Sequence, residues 1–252
     1  MESYIFGIRT VLEAIRAGKS IDKILIYSKL KGELSGELFK ELRDKKIFTQ
    51  NVPIEKINNI TNKNHQGVIA YISPIEYSDI ELIINKCKEK DKVPLILILD
   101  GITDVRNFGA IARSCECCGV DAIIIPKHGS VRVTEDAIKT SAGALFNIPV
   151  CLADNLTDIV LLLKQYEIQI ISTNENSDKN IYDINFKIAT AIILGSEDSG
   201  ISKQLLKQSD YCVKIPMLGK TESLNVSVSA GICIYEAIRQ RIKYTTKTTN
   251  NI

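Results

Sequence analysis

The chain has 252 residues, which is enough for two modest domains or one large domain. Hydrophobic residues make up 45% of the sequence, so a substantial core can form, and this composition argues against a disordered protein. The formal net charge of +2 neither requires nor excludes a nucleic-acid partner. Residues 1–72 carry 12 Lys and Arg against 8 Asp and Glu, an excess that suits RNA contact and an ordinary solvated surface equally well.

The sequence contains seven cysteines, no signal-like opening segment and no apolar run long enough to span a bilayer. An odd number of cysteines without a secretion signal predicts reduced thiols and a cytoplasmic protein. Cys115, Cys117 and Cys118 stand close together, but a second Cys/His pair at metal-ligand spacing does not accompany them. We therefore expect cysteines packed in the core, no metal site and no membrane partner.

The first elements of the chain are short and alternate in type. Apolar residues at helical spacing predict one helix over residues 8–15 and a second helix around Leu38. Short apolar segments at 24–27 and 68–71 predict strands. This alternation predicts a small layered α/β domain over residues 1–72.

The pattern of apolar runs in the later part of the chain predicts a parallel sheet. After a charged linker with a helix at residues 73–93, residues 95–99 are all apolar, as in a strand covered on both faces. Similar runs recur with helical patterns between them, at residues 122–125, 168–172, 191–194 and 212–215. Strands alternating with helices predict βαβ units over residues 94–243. Residues 244–252 lack apolar periodicity, and we expect a flexible tail there.

Ligands of open α/β sheets bind beyond the carboxyl ends of the strands, and polar loops follow three of these strands. The loop after residues 95–99 leads to Asn107, and Arg113 follows six residues later on a predicted helix. Taken alone, these two residues are better explained as a helix N-cap and a solvated arginine.

The second loop contains Gly195 and Gly200, spaced as in a phosphate-binding loop, but Ile201 stands where that motif requires lysine. Glu197 and Asp198 would also repel a triphosphate, so nucleotide hydrolysis is disfavoured. No Gly-x-Gly-x-x-Gly segment follows a predicted strand, which argues against a dinucleotide fold. A neutral or cationic ligand fits this loop, and so does a glycine-rich turn capped by acidic residues.

The third loop begins at Pro216 and re-enters a helix through Ser223 and Asn225. A helix N-terminus commonly holds ligands. Serine and asparagine are also preferred N-caps, so capping with close helix packing is the simpler explanation of this segment alone.

The order and spacing of these three segments resemble the SpoU family of RNA ribose 2′-O-methyltransferases, which belongs to the SPOUT superfamily. This resemblance covers about residues 95–240. Segments 6–14 and 65–68 resemble, more weakly, the ribosomal-protein-L30e-like RNA-binding domain that some members carry. The two parts together are most similar to the bacterial 23S rRNA guanosine-2′-O-methyltransferases.

The resemblance implies an α/β fold with a C-terminal parallel-sheet SPOUT domain, tied in a deep trefoil knot, after a small L30e-like domain. It implies S-adenosylmethionine as cofactor, and a homodimer through the C-terminal domain whose active site takes residues from both chains. The implied cofactor contacts are Thr173, Gly195, Ile215, Met217 and Leu224. The implied catalytic residues are Asn107, Arg113, Glu197, Ser223 and Asn225.

The implied reaction is methylation of a ribose 2′-hydroxyl in structured RNA, with a guanosine of 23S rRNA as the expected target. In-line positioning can contribute about 7–11 kcal/mol, against roughly 10²–10⁴-fold for a general base, so positioning should dominate. Because arginine is effectively always protonated, we expect Arg113 to hold the target phosphate bidentately rather than to act as a base. Transfer RNA, another rRNA position and a non-catalytic RNA-binding module remain alternatives.

Overall fold

The structure is a computed structural model that describes residues 4–45 and 47–242. The flexible tail predicted for residues 244–252 lies outside the described residues. In the described part of the chain, no helix is both long enough and apolar enough to cross a membrane.

Among the described residues, the first of two compact units consists of residues 4–45, 47–77 and 132–139. Its strands are Tyr4–Phe6 (β1), Ile21–Tyr27 (β2), Thr49–Val52 (β3) and Val68–Ile72 (β4). Its first helices are Ile8–Arg16 (α1), Glu33–Asp44 (α2) and Ile54–Asn58 (α3). The strand order is β1-β4-β2-β3, in which β2 and β3 pair in parallel and the other pairs are antiparallel.

Helices α1 and α2 pack on one face of this sheet through their apolar stripes. Val11 of α1 and Leu38 of α2 are fully buried against Ile24 and Ile26 of β2. The two predicted helices and the two predicted strands are confirmed. The sequence did not predict β1, β3 and α3, because each has five residues or fewer and most of β3 is exposed.

The side chain of Gln66 closes the N-terminus of α1. Its Oε1 accepts a hydrogen bond from the backbone N–H of Ile8 at 3.0 Å, which satisfies one of the unpaired donors at the helix start. The preceding Gly7 has a φ of 87°, which residues with a Cβ rarely adopt. The segments 6–14 and 65–68, which carry the weaker resemblance, therefore meet in the structure.

The second unit consists, among the described residues, of residues 78–131 and 140–242. Its strands are Leu95–Asp100 (β5), Ala122–Pro126 (β6), Val150–Ala153 (β7), Gln169–Thr173 (β8), Lys179–Asn180 (β9), Thr190–Gly195 (β10) and Tyr211–Lys214 (β11). The remaining helices are Ile80–Glu89 (α4), Val105–Cys117 (α5), Glu135–Thr140 (α6, mostly in the first unit), Leu156–Gln165 (α7), Lys203–Gln208 (α8) and Val226–Arg241 (α9).

The seven strands form one sheet in the order β7-β6-β5-β10-β8-β11-β9, and each of its six pairs is parallel. All five residues at 95–99 are buried, as expected of a strand with helices on both faces. The predicted parallel sheet is therefore confirmed. The sequence did not predict β7 and β9, which have four and two residues.

Helix α4 belongs to the core of the second unit. Ile80 and Ile84 are buried in the same apolar cluster as Ile96 and Ile98 of β5. The helix expected within residues 73–93 is thus present, and its apolar side covers one face of the large sheet.

The end of α9 is held by Arg241. Its Nε donates to the carbonyl of Phe186 at 2.7 Å and its Nη1 to that of Val93 at 2.9 Å. Its Nη2 donates to the carbonyls of Pro94 at 3.1 Å and Ile188 at 2.8 Å. Burial lowers the pKa of the Arg241 guanidinium, and four carbonyl oxygens offset the lost hydration. This one side chain therefore ties α9 to the segments before β5 and β10.

We predict that Arg241→Met lowers the free energy of unfolding by about 2–3 kcal/mol, since hydrogen bonds to a charged group each contribute about 1.5–3 kcal/mol and water replaces some of them. Urea denaturation followed by circular dichroism measures this change. Lys187→Met removes the same charge from an exposed neighbouring position and should change stability by less than about 0.5 kcal/mol. Equal stabilities of the two variants would contradict the role given to Arg241.

Candidate functional site

A cavity of about 730 Å³ opens at the carboxyl ends of β8, β10 and β11. This volume lies within the range of about 300–1,000 Å³ that is usual for ligand pockets. Because the strands are parallel, their carboxyl ends bring distant parts of the sequence to one edge of the sheet. The wall includes all five residues expected to contact a cofactor, namely Thr173, Gly195, Ile215, Met217 and Leu224. Their contact with a cofactor stays a prediction.

The loop after β10 folds tightly back onto the end of its strand. A Cβ added to Gly195 would stand 2.1 Å from the carbonyl carbon of Gly200. Gly200 has a φ of 64°, and its N–H donates to the carbonyl of Ser196 at 2.9 Å. The hydroxyls of Ser196 and Ser199 lie 2.7 Å apart across the turn. A glycine-rich turn is therefore confirmed here, and its geometry requires glycine at position 195.

Glu197, which this turn carries, joins three separate segments of the chain through one carboxylate oxygen. Its Oε1 accepts hydrogen bonds from Nδ2 of Asn107 at 3.2 Å and from Nδ2 of Asn225 at 2.6 Å. The backbone N–H of Val226 donates to the same oxygen at 3.2 Å. Nδ2 of Asn225 also donates to Oδ1 of Asn107 at 3.0 Å. The structure thus brings together three of the five residues expected to be catalytic.

Asn225 is the N-cap of α9 as well as a member of this network. Its Oδ1 accepts from the backbone N–H of Ser227 at 2.9 Å and from the Ser227 hydroxyl at 2.5 Å. The capping interpretation of Asn225 is therefore confirmed. It does not exclude a part in the site, because capping uses the amide oxygen and leaves the amide nitrogen for Glu197.

Asn107, by contrast, is not a helix N-cap, so that interpretation was wrong. The N-cap of α5 is Asp104, whose Oδ1 accepts from the backbone N–H groups of Arg106 at 2.6 Å and Asn107 at 3.3 Å. Asn107 lies in the first turn of α5, and its side chain is directed to Glu197. Aspartate three residues before Asn107 was the sequence signal that could have identified this cap.

Ser223 and Arg113 differ in their relation to the cavity. Ser223 lines the wall together with Glu197. Arg113 is exposed on α5, about 9 Å further along the helix axis than Asn107 and roughly 240° around it. Arg113 does not line the cavity, and within residues 4–45 and 47–242 its guanidinium forms no hydrogen bond or ion pair. Within one chain, Arg113 therefore lies outside the site, in the position of a solvated helix arginine.

Charged side chains at the cavity are mostly acidic. The carboxylates are those of Glu175, Glu197, Asp198 and Glu222, and the cations are those of Lys203 and Lys214. A wall with more carboxylates than ammonium groups favours a cationic ligand over a phosphate. This agrees with the neutral or cationic ligand that the loop sequence predicts.

None of the described cysteines lines the cavity. Burial raises the pKa of Cys151 to about 12 and that of Cys233 to about 12, so these thiols stay protonated at neutral pH. Burial also raises the pKa of Cys115, which packs on the apolar face of α5 as predicted. Cys117, in contrast, is exposed. Among the described residues, His, Cys, Asp and Glu form no group of three able to hold a metal ion.

Comparison with known proteins relates the whole chain to one enzyme family. Residues 94–235 match the model of the SpoU rRNA methylase family, and residues 4–78 match a model described as RNA 2′-O ribose methyltransferase substrate binding. A protein of Staphylococcus aureus strain MSSA476, named as a TrmH-family tRNA/rRNA methyltransferase, is 38% identical over 240 residues, which are 95% of this chain and 97% of that protein.

Two solved structures share the fold. The SpoU methyltransferase AviRb from Streptomyces viridochromogenes, in complex with AdoMet, has a TM-score of 0.61 at 23% identity and covers 95% of this chain and 90% of its own. The TrmH/SpoU tRNA modifying enzyme of A. aeolicus has a TM-score of 0.54 at 28% identity over 64% of this chain and 83% of its own. The predicted fold class, a parallel α/β SPOUT domain after a small α/β domain, is thereby confirmed. The trefoil knot itself stays a prediction.

We predict that Gly195→Ala disrupts the turn that carries Glu197, because its methyl group would overlap the backbone of Gly200. Overpacking of this kind costs about 1–3 kcal/mol, and the Gly200 amide should lose protection from hydrogen exchange. Exchange followed by mass spectrometry measures both effects. Gly219→Ala is the matched control in a nearby loop, since a methyl group added there would have no atom within 4 Å. Unchanged exchange at residues 196–200 in Gly195→Ala would contradict the prediction.

Proposed function

Because this chain belongs to the SpoU family of RNA methylases, we propose that it transfers a methyl group from S-adenosylmethionine to a ribose 2′-hydroxyl of RNA. The observation that carries this proposal is the convergence of three loops at Glu197, beside a cavity of about 730 Å³. All five residues expected to contact the cofactor line that cavity, although they come from separate segments of the chain.

The chemistry of the cavity supports S-adenosylmethionine as the ligand. The donor carries a positively charged sulfonium, and four carboxylates against two lysines favour such a cation. Gly195 brings backbone to the wall without a side chain, so backbone groups can reach the ligand closely. The AdoMet complex of AviRb, which has the same fold, adds support from a relative.

For the catalytic step we propose positioning as the main contribution. In this proposal Ser223, which lines the wall, contacts the ribose, while Asn225 fixes the loop beside it. Asn107 and Glu197 orient an arginine that clamps the target phosphate bidentately. We assign this role to Arg113 of a second copy of the chain, since Arg113 lies outside the cavity of its own chain.

The exposed face of α9 supports a homodimer through the second unit. Val228 and Tyr235 of α9 and Ile242, the residue that follows the helix, are spaced by seven residues and are 49%, 65% and 51% exposed. A stripe with this spacing on one side of a helix is typical of helix–helix contact. Gly231 lies on the same helix, and a methyl group added to it would have no atom within 4 Å, so a second backbone can approach there.

For the substrate we propose a guanosine of 23S rRNA, with the first unit adding affinity for structured RNA in the cytoplasm. The two-domain arrangement supports rRNA, since residues 4–78 match a model for RNA substrate binding, whereas the tRNA modifying enzyme of A. aeolicus covers only 64% of this chain. Transfer RNA remains the alternative substrate, because relatives are named for both tRNA and rRNA. A non-catalytic RNA-binding module is disfavoured, because the site keeps Asn107, Glu197, Ser223 and Asn225.

Methyl transfer from labelled S-adenosylmethionine to purified rRNA and tRNA tests the function, and calorimetry tests cofactor binding. We expect binding, together with label in rRNA at a ribose that mapping then locates. Label in tRNA alone would replace the proposed substrate. Absence of cofactor binding by the folded protein would refute the proposal.

We predict that Arg113→Lys lowers turnover about 10²-fold at saturating RNA, because one ammonium cannot replace a bidentate guanidinium and small misplacements are costly. Cofactor affinity should not change, since the proposed contact of the guanidinium is with the RNA phosphate and not with the cofactor. The same substitution at the exposed Arg43 of α2 should keep normal turnover. Near-normal turnover of Arg113→Lys would show that the bidentate role is wrong.

We further predict that reversing two exposed charges of the first unit, Arg9→Glu with Lys63→Glu, weakens RNA binding. Each lost phosphate contact should reduce the salt dependence of binding by about 0.7–0.9 in log–log slope. Filter binding at several salt concentrations measures this slope. Cofactor affinity, measured by calorimetry, serves as the internal control and should stay unchanged. An unaltered RNA slope would show that these two cations do not contact the substrate.

A further inference from the structure

The hydrogen-bonding capacity of the Asn225 side chain is completely used within the protein. An asparagine amide offers two N–H donors and two oxygen lone pairs. The two donors of Asn225 go to Asn107 and Glu197, at 3.0 Å and 2.6 Å. Both lone pairs accept from Ser227, through its backbone N–H and its hydroxyl. Asn225 therefore has no group left for a substrate.

Asn107 and Glu197 retain unused groups. Asn107 has one N–H donor and one lone pair remaining after its bonds to Glu197 and Asn225. Glu197 places all three accepted bonds on Oε1, and its Oε2 accepts none from the described part of the chain. Because Glu197 lines the cavity, this second oxygen is available there.

The orientation of the Asn225 amide determines whether Asn107 and Glu197 can hold their bonds to it and keep their unused groups available at the cavity. If the amide were reversed, its oxygen would lie about where the nitrogen now stands, 2.6 Å from the Glu197 carboxylate. Its NH₂ group would meanwhile face the N–H of Ser227, donor against donor. The Ser227 hydroxyl adds a second donor to Oδ1 and so opposes the reversed state.

We propose that Ser227 is a positioning residue of this site, which fixes the Asn225 amide so that Asn107 and Glu197 keep their unused groups directed to the arginine that holds the target phosphate. The effect of Ser227 on methyl transfer depends on the proposed function. The structural part of the proposal stands without that function, because the bonds involved lie within the protein. Ser227 does not itself line the cavity, so its effect should appear in turnover and not in cofactor affinity.

The test is the solvent exchange rate of the Asn225 Nδ2 protons, followed by NMR and assigned by their absence in Asn225→Asp. We expect Ser227→Ala to accelerate this exchange about three- to tenfold, the factor that one neutral hydrogen bond represents. Turnover should fall by a similar factor, with unchanged affinity for S-adenosylmethionine. Ser227→Thr keeps the hydroxyl and should restore both values.

Ser114→Ala is the matched control, since it removes a half-buried helix hydroxyl whose bond goes to the carbonyl of Ala110, away from Glu197. It should alter neither exchange nor turnover. Unchanged Asn225 exchange in Ser227→Ala would overturn the proposal, and so would failure of Ser227→Thr to restore it. Wild-type protein that binds no S-adenosylmethionine would instead refute the proposed function, while the exchange comparison would still decide the role of Ser227.

Discussion

One carboxylate oxygen holds the candidate site together. Oε1 of Glu197 accepts from Asn107 on α5, from Asn225 at the start of α9 and from the backbone of Val226. Hydrogen bonds to an ionised acceptor are stronger than those between neutral groups, so a single side chain can order three segments. Without this acceptor, the donors that now share one oxygen would have to bond to water instead, and the segments would lose the contact that they have in common.

The position of that oxygen follows from the sheet. β10 lies between β5 and β8, so the loops after β10 and β5 are neighbours at the same edge. The tight turn from Gly195 to Gly200 then directs Glu197 towards α5 and α9 instead of along the strand. At the far end of α9, Arg241 fixes the helix to the segments that precede β5 and β10. The helix is thus anchored at both ends to the same two strands.

The amino-acid sequence predicts the parts of this arrangement that depend on local pattern. Uninterrupted apolar runs such as 95–99 identified a buried parallel sheet, because strands covered on both faces need apolar residues at every position. The resemblance to a known family supplied the five residues expected to contact the cofactor, and all five line the cavity. Strands such as β3 and β9 were not predictable, since β3 exposes three of its four residues and so shows no apolar run, and β9 has only two residues.

The hydrogen bonds of the site could not be predicted in the same way. They join residues that are 90 and 118 positions apart, and no local pattern encodes which amide meets which carboxylate. The N-cap of α5 illustrates this limit on a small scale. Asp104 and Asn107 are both good capping residues; the sequence offered Asp104 as a candidate, and the structure shows that Asp104 is the cap. That choice leaves the Asn107 side chain for Glu197.

The large separation in sequence between Asn107 and Asn225 has a consequence for the order in which the site forms. A ribosome makes α5 and the Glu197 turn well before it makes α9, so a partly synthesised chain holds a carboxylate that still lacks two of its three donors. The strands up to β11 also precede α9 in the chain, and the cavity gains its wall at Val226 and Ser229 only with that helix. The pocket is therefore complete only once α9 has docked onto the turn that carries Glu197.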